Sequence, residues 1–181
     1  MEPALFIANY IIEYSNEKGY PINNLKLQKL LYFVNVSNLV TNQEPLFEEK
    51  MEKWKYGPVI PSVYHEFKKY GAFQISNKDI VREYFHFKFE DEDEDDIFPA
   101  TVEILQYTKD KIDDSAINLI NNVVDYFSQK DAFELVDITH KQEPWKKDEK
   151  RIMDGEQGIQ YTEDEIISYF QNHPEELEWP R

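Results

Sequence analysis

The stretch Leu25-Lys26-Leu27-Gln28-Lys29-Leu30-Leu31-Tyr32-Phe33-Val34-Asn35-Val36-Ser37-Asn38-Leu39-Val40 decides the fold. Leu27, Leu30, Leu31, Val34 and Val36 join Tyr32 and Phe33 to cover most of the circumference of a helix. A helix that is apolar nearly all round belongs at the centre of a core. Its early Lys26, Gln28 and Lys29 then mark the one solvated edge, and Asn23 or Asn24 caps its start.

Working outward, the chain on either side punctuates itself. Towards the N-terminus a helix is expected from Pro3 to Lys18, with an apolar stripe of Ala4, Ile7, Ala8, Ile11 and Ile12 and with Gly19 as its stop. Towards the C-terminus residues 41–61 are irregular, because Gly57-Pro58 and Pro61 break helices. Glu52-Lys53-Trp54-Lys55-Tyr56 reads as a short strand, and Pro61 opens a helix ending near Gly71. In Tyr84 to Phe89, Phe85, Phe87 and Phe89 alternate with polar residues, the period of a half-buried strand.

Seven consecutive carboxylates, Glu90 to Asp96, repel one another and predict an exposed loop. Beyond them Thr101 to Ile112 reads as helix, and Asp114 or Ser115 caps an amphipathic helix through Phe127. Asp131 caps another to about His140, and Thr162-Glu163-Asp164-Glu165 is a capping box opening the last helix. The fold class is mainly α (α+β): a compact helical domain over residues 1–171 with one small antiparallel sheet or hairpin. Residues 172–181 are expected to be a polar tail that frays.

Composition excludes more than it assigns. The chain has 181 residues, 41% of them hydrophobic, enough to build a core in one domain. It has no cysteine, so disulfides and thiol chemistry are excluded. The start Met1-Glu2-Pro3 has no basic region before an apolar run, and no run approaches ~18 apolar residues. A cytoplasmic protein without a membrane partner is therefore expected. The net charge is -16, and it is uneven. Residues 1–89 hold eleven Lys/Arg against ten Asp/Glu, whereas residues 90–181 hold nine against twenty-six. That balance argues against nucleic acid as a direct partner. It suits either simple solubility or a partner with a basic surface.

Catalytic signatures are missing. The five glycines form no phosphate-cradling loop. His65-Glu66 has the start of a zinc-protease motif, but Lys69 stands where the second histidine belongs. No cofactor and no metal is implied. His140 with Asp137 at helical spacing is the one candidate catalytic pair, and a capping or buried hydrogen-bonding histidine is the commoner role. Lys53, Trp54, Lys55, Tyr56, His65, Lys68 and Lys69 interleave cations with rings as base-stacking surfaces do, but Glu48, Glu49, Glu52 and Glu66 cancel their field.

Three blocks occur in a distinctive order. The first is Leu25-Lys26-Leu27-Gln28-Lys29-Leu30-Leu31-Tyr32. The second is Phe47, then Glu52-Lys53-Trp54-Lys55-Tyr56-Gly57-Pro58-Val59-Ile60-Pro61, Val63-Tyr64, Phe67 and Tyr70-Gly71. The third is Leu135, Thr139-His140 and Pro144-Trp145. Together they resemble the Panacea domain, also called the SocA-like or GepA-like phage-associated family, over about residues 4–171. The resemblance implies an antitoxin, not an enzyme, that neutralises a cognate protein toxin by direct binding. In one branch of the family the protein instead hands its toxin to a protease. The competing readings are a mobile-element regulator that mimics nucleic acid with its carboxylates, and a hydrolase using His140. The block residues also have a structural role open to them: Leu27, Leu30 and Leu31 as core, Gly57-Pro58 as a turn, Trp54 and Trp145 as largely buried rings. The same choice between fold and partner contact stands for Gln28, Lys29, Tyr32, Glu52, Tyr56, Val59, Pro61, Tyr64, Phe67, Thr139, His140 and Pro144.

Overall fold

A computed structural model describes residues 2–88, 101–177 and 179. Helices α1 (Ala4–Lys18) and α2 (Asn24–Asn42) come first. Hairpin β1 (Glu52–Trp54) and β2 (Gly57–Val59) follows, then α3 (Pro61–Phe67). A second hairpin pairs β3 (Glu83–Lys88) with β4 (Thr101–Gln106). Helices α4 (Asp114–Tyr126), α5 (Ala132–Lys141), α6 (Glu143–Lys146), α7 (Glu149–Met153) and α8 (Glu163–Asn172) complete the described chain. The fold is α+β, and each of its two small sheets is a separate antiparallel hairpin.

Helix α2 is the hub expected of an all-round apolar helix. It packs against α1, α3, α4, α5, α8 and β2, and its residues Leu27, Leu30, Leu31, Tyr32, Phe33, Val34 and Val36 are buried. The Asn23 side chain caps it by accepting from the Lys26 N–H at 2.9 Å. Helix α1 is enclosed further round than its stripe suggests. Leu5, Phe6, Asn9 and Tyr10 are buried as well, and Gly19 closes it in the left-handed conformation at φ 73°. The capping boxes are present at Asp131–Glu134 and at Thr162–Glu165.

Five expectations are corrected. Lys26, Gln28 and Lys29 do not form a solvated edge; all three are buried, because each long side chain reaches a backbone group of a distant segment. Residues 101–106 are strand, not helix. Val102 and Ile104 stand on one face of the ribbon and Leu105 on the other, and so short a run shows the period of two only weakly. Phe85 is more exposed than a half-buried strand residue. Lys55 and Tyr56 form the turn between β1 and β2 rather than extending the strand. The C-terminal tail does not fray where it is described: Leu177 and Trp179 are buried, and the Trp179 ring lies 5.3 Å from those of Phe33 and Phe127. The Glu90–Asp96 run and Phe89 lie outside the described residues.

Candidate partner-binding site

The three blocks converge on hairpin β1–β2, and the polar residues of α2 are what fix it there. Lys29 extends its ammonium to the Pro58 carbonyl at 2.8 Å. The Gln28 amide oxygen accepts from the Ile60 N–H at 2.9 Å, while its NH2 donates to Asn24 Oδ1 at 3.1 Å. Asn24 in turn donates to the Tyr64 carbonyl at 3.1 Å. Backbone polar groups that would be stranded beside a core helix are thereby satisfied.

Gly57 shows how close the hairpin approaches. Its φ is 88°, and a Cβ there would lie 2.6 Å from Thr139 Oγ1 and 3.1 Å from Lys29 Cε. Only glycine meets both conditions. Trp145, fully enclosed, donates its indole N–H to the Trp54 carbonyl at 3.0 Å, so α6 holds the hairpin as well. Tyr32 donates its hydroxyl to Gln142 Oε1 at 2.8 Å, and Phe67, Val59, Thr139 and Pro144 are buried around this base. Glu52 and Pro61 are half-buried.

Two lysines in this base carry unusual electrostatics. Burial pushes the Lys29 ammonium down to about 7, so neutral and charged forms are both populated near neutral pH. Lys53 is buried as well, and it is paired. Its buried ammonium contacts Asp148 at 2.8 Å and Glu165 at 2.9 Å, and sits 5.0 Å from the centre of the Tyr161 ring. Burial opposes ionisation of Asp148, but hydrogen bonds from Lys53 and Arg151 outweigh it and hold the carboxyl below its ordinary value. Lys53 is therefore absent from the surface that the cation-and-ring pattern suggested.

His140 is no acid–base partner of Asp137 in this arrangement. Its ring stacks on Trp145 at 3.7 Å, and its Nε2 is buried with no hydrogen-bond partner among the described residues. Burial, then the nearby Lys29 charge, push it below its ordinary pKa. Asp137 is exposed and acts only as a charge. Among the described residues no three His, Cys, Asp or Glu side chains are grouped to hold a metal.

On this base stands an aromatic cleft of about 290 Å³. Trp54, Tyr56 and Tyr64 line it above Gln28 and Val59, with Lys55 and Lys68 among its walls. Trp54 packs edge-on to Tyr64 at 4.9 Å and donates its indole N–H to Glu52 Oε2 at 2.7 Å. Tyr56 is 52% exposed, and Phe133, 62% exposed, meets it edge-on at 6.3 Å. Phe133 is the site residue that sequence reasoning missed. It sits one position off the Leu135–Val136–Thr139 stripe of α5, so a large apolar ring on the polar face was the available signal. A larger hollow of about 420 Å³ beside Gly19 and Asp131 has mixed polar walls and shares only Lys26 with the three blocks.

A buried polar base thus fixes these solvent-facing rings. The chain belongs to the antitoxin SocA-like, Panacea domain family, whose sequence model matches residues 27–146. It is similar to antitoxin SocA of Caulobacter vibrioides (strain NA1000 / CB15N), with 40% identity over 77 residues. That match covers 42% of this chain and 41% of the relative, so the chain aligns with less than half of the relative's length. No solved structure matches.

Proposed function

We propose that this protein is an antitoxin that neutralises a cognate protein toxin by binding it directly, acting in the cytoplasm by contact and not by turnover. The observation that carries the reading is the aromatic cleft. The block rings Trp54, Tyr56 and Tyr64 are left partly or largely open, and they gather at one place on a rigid base. Trp and Tyr anchors held in advance are the residues that dominate protein interfaces. Family membership supplies the class of partner, and the acidic second half of the chain favours a toxin with a basic surface.

The test uses the product of the adjacent reading frame. Its expression alone should arrest growth, and co-expression of this chain should restore it. A Tyr56→Ala/Phe133→Ala variant should lose rescue, with an unchanged melting temperature and a purified complex weakened at least ~10-fold, as for a hot-spot pair. A purified complex that leaves the toxin active, with rescue that disappears when the cell's protease is removed, would replace neutralisation by contact with delivery to a protease.

A further inference from the structure

The aromatic cleft is cationic in a chain that is not. Among the described residues its charged walls are Lys55 and Lys68, both exposed, and no carboxylate lines it. The chain as a whole carries a net charge of -16. The carboxylates around the cleft are engaged elsewhere. Glu52 accepts from the Trp54 indole at 2.7 Å, Glu66 stands 3.5 Å from the Lys69 ammonium, and Glu134 turns back to accept from the Asp131 N–H at 2.7 Å. Lys55 lies 5.9 Å from the centre of the Tyr56 ring, and the Lys68 ammonium is 3.4 Å from His65 Nδ1. Among the described residues neither lysine has a carboxylate partner. Two ammonium groups thus stand at the rim without an opposite charge of their own.

What the cleft leaves free names its occupant. The Asn24 and Gln28 amides on its floor bond one another and the backbone of Tyr64 and Ile60. The Trp54 N–H is taken by Glu52. There remain the faces of Trp54, Tyr56 and Tyr64, the side chains of Leu25 and Val59, two tyrosyl hydroxyls and two ammonium groups. That set has little with which to read the hydrogen-bonding edge of a base. The field of the whole chain also repels a polyanion or an anionic membrane. A second copy of this chain would bring a second charge of -16 against the first. A single carboxylate beside a large apolar side chain carries one charge and satisfies both kinds of group. The volume of about 290 Å³ is at the small end of the ~300–1,000 Å³ of sites that enclose a whole small molecule, and it suits side chains inserted from a protein surface.

We infer that the Trp54–Tyr56–Tyr64 cleft recognises an acidic and apolar segment of the toxin, in which a large apolar side chain stands beside an Asp or Glu. The apolar side chain enters among the rings, and the carboxylate meets the ammonium groups of Lys55 and Lys68. This rests on the antitoxin reading and names what that surface selects. The basic region of the toxin favoured by the acidic second half of this chain is a different part of the toxin's surface. The rings govern how long the complex lasts, because desolvated aromatic anchors dominate interfaces. The lysines govern selection, because a cation set against them is repelled.

The experiment measures the affinity of the purified chain for the purified product of the adjacent reading frame. Lys55→Glu/Lys68→Glu should weaken the complex at least ~10-fold and Lys55→Gln/Lys68→Gln several-fold, both with an unchanged melting temperature because the two side chains are exposed. Each Asp or Glu of the toxin that adjoins a large apolar residue is then changed in turn to Lys. One of these changes should weaken binding to wild type and restore binding to Lys55→Glu/Lys68→Glu. Unchanged affinity in both lysine variants, or no restoring change at any toxin position, would overturn this inference and leave the antitoxin reading standing. Failure of wild type to bind the toxin would remove both. A single-stranded oligonucleotide that binds wild type and not Lys55→Glu/Lys68→Glu, with toxin affinity unchanged in that variant, would assign the cleft to nucleic acid and overturn the inference. Self-association that the same variant abolishes, again with toxin affinity unchanged, would assign the cleft to a second copy and overturn it as well.

Discussion

Hairpins β1–β2 and β3–β4 are both two-stranded antiparallel ribbons, yet they sit in the molecule in opposite ways. The first is only three residues per strand, with β2 buried throughout and Lys53 of β1 buried as well, so that its turn and the Trp54 ring are what stay open. Lys29, Gln28 and Trp145 bond its backbone, and Lys53 runs from β1 into the Asp148–Glu165 pair. Even its outer edge is covered, since the Lys53 N–H donates to the Ile159 carbonyl at 2.7 Å and the Tyr161 N–H to the Met51 carbonyl at 2.9 Å. The second ribbon has six residues per strand and turns its apolar side chains outward. An isolated hairpin is marginal in water, so short strands need many outside partners. The contrast teaches that ribbon length alone says little. Where the cations go separates a ribbon built into the core from one left to meet something else.

The sharpest way to break the first hairpin is to remove its buried cation. Lys53→Met keeps much of the volume but leaves Asp148 and Glu165 facing one another. Breaking a buried pair costs ~3–5 kcal/mol. Arg151 and Lys147 still reach the two carboxylates, which places the expected loss at the lower end, about 3 kcal/mol. A thermal melt should fall by roughly 6–12 °C, at ~2–4 °C for each kcal/mol. Adding Glu165→Gln should recover part of the loss; no recovery would mean that packing and not charge is what Lys53 supplies.

Gly57→Ala tests the close approach of backbone to helix. A side chain at φ 88° is strained, and its Cβ would collide with Thr139 Oγ1. The expected loss is about 1–3 kcal/mol from the backbone conformation, read as a lower denaturant midpoint. A Thr139→Ser substitution would not relieve it, because the hydroxyl remains, whereas Thr139→Ala combined with Gly57→Ala should recover the steric part.

How much of this contrast the sequence disclosed follows from where each residue finds its partner. Apolar periodicity and local caps are set within a few residues, so α1, α2, α4, α5 and α8 are legible, as is the importance of the Trp54-Lys55-Tyr56-Gly57-Pro58 turn. Lys26, Gln28 and Lys29 were misread because their partners, at Ser128, Ile60 and Pro58, are 102, 32 and 29 residues away. A lysine on an apolar helix looks solvated until a carbonyl is found for it. Strand β4 was misread for a related reason. Val102 and Ile104 alternate with polar residues as in any strand, but its outward face is the apolar one, contrary to the usual pattern. Trp179 gave no periodic signal, being a lone ring in a polar tail. Phe133 was passed over because it lies off the stripe that identified its helix.

A smaller effect separates Lys29, the buried lysine of α2 that bonds the first hairpin, from ordinary ones. Burial lowers Lys29 from 10.5 to about 7. Between those values the unfolded chain binds the proton and the folded chain does not. Stability therefore rises as pH increases from about 7 towards 10.5, and Lys29 contributes no slope below about 7, where both states are protonated. The slope approaches about 1.4 kcal/mol per pH unit in mid-window. Denaturation of wild type and Lys29→Met at pH 6, 7, 8 and 9 isolates it. The difference between the two proteins should stay flat from pH 6 to 7 and then move in favour of wild type. A difference that is flat throughout would show that Lys29 remains protonated in the fold, held by the Pro58 carbonyl.

The least effect is expected at the second hairpin, and its smallness is the point. Phe85→Ser/Ile104→Ser removes two large apolar side chains, which in a core would cost several kcal/mol. Here both already stand more than half in water. Little transfer free energy is lost, and no cavity forms. Exposed substitutions of this kind stay within about 0.5 kcal/mol each. The remaining loss is the cross-strand contact of the pair, ~0.2–1 kcal/mol. Together these come to at most about 2 kcal/mol, so the melt should move by a few degrees and no more than roughly 8 °C, and solubility at high concentration should rise as the apolar face disappears. A fall as large as that of Lys53→Met would mean that Phe85 and Ile104 hold the ribbon against the rest of the chain. The two hairpins would then differ in chemistry but not in role, and the open face would be structural rather than available.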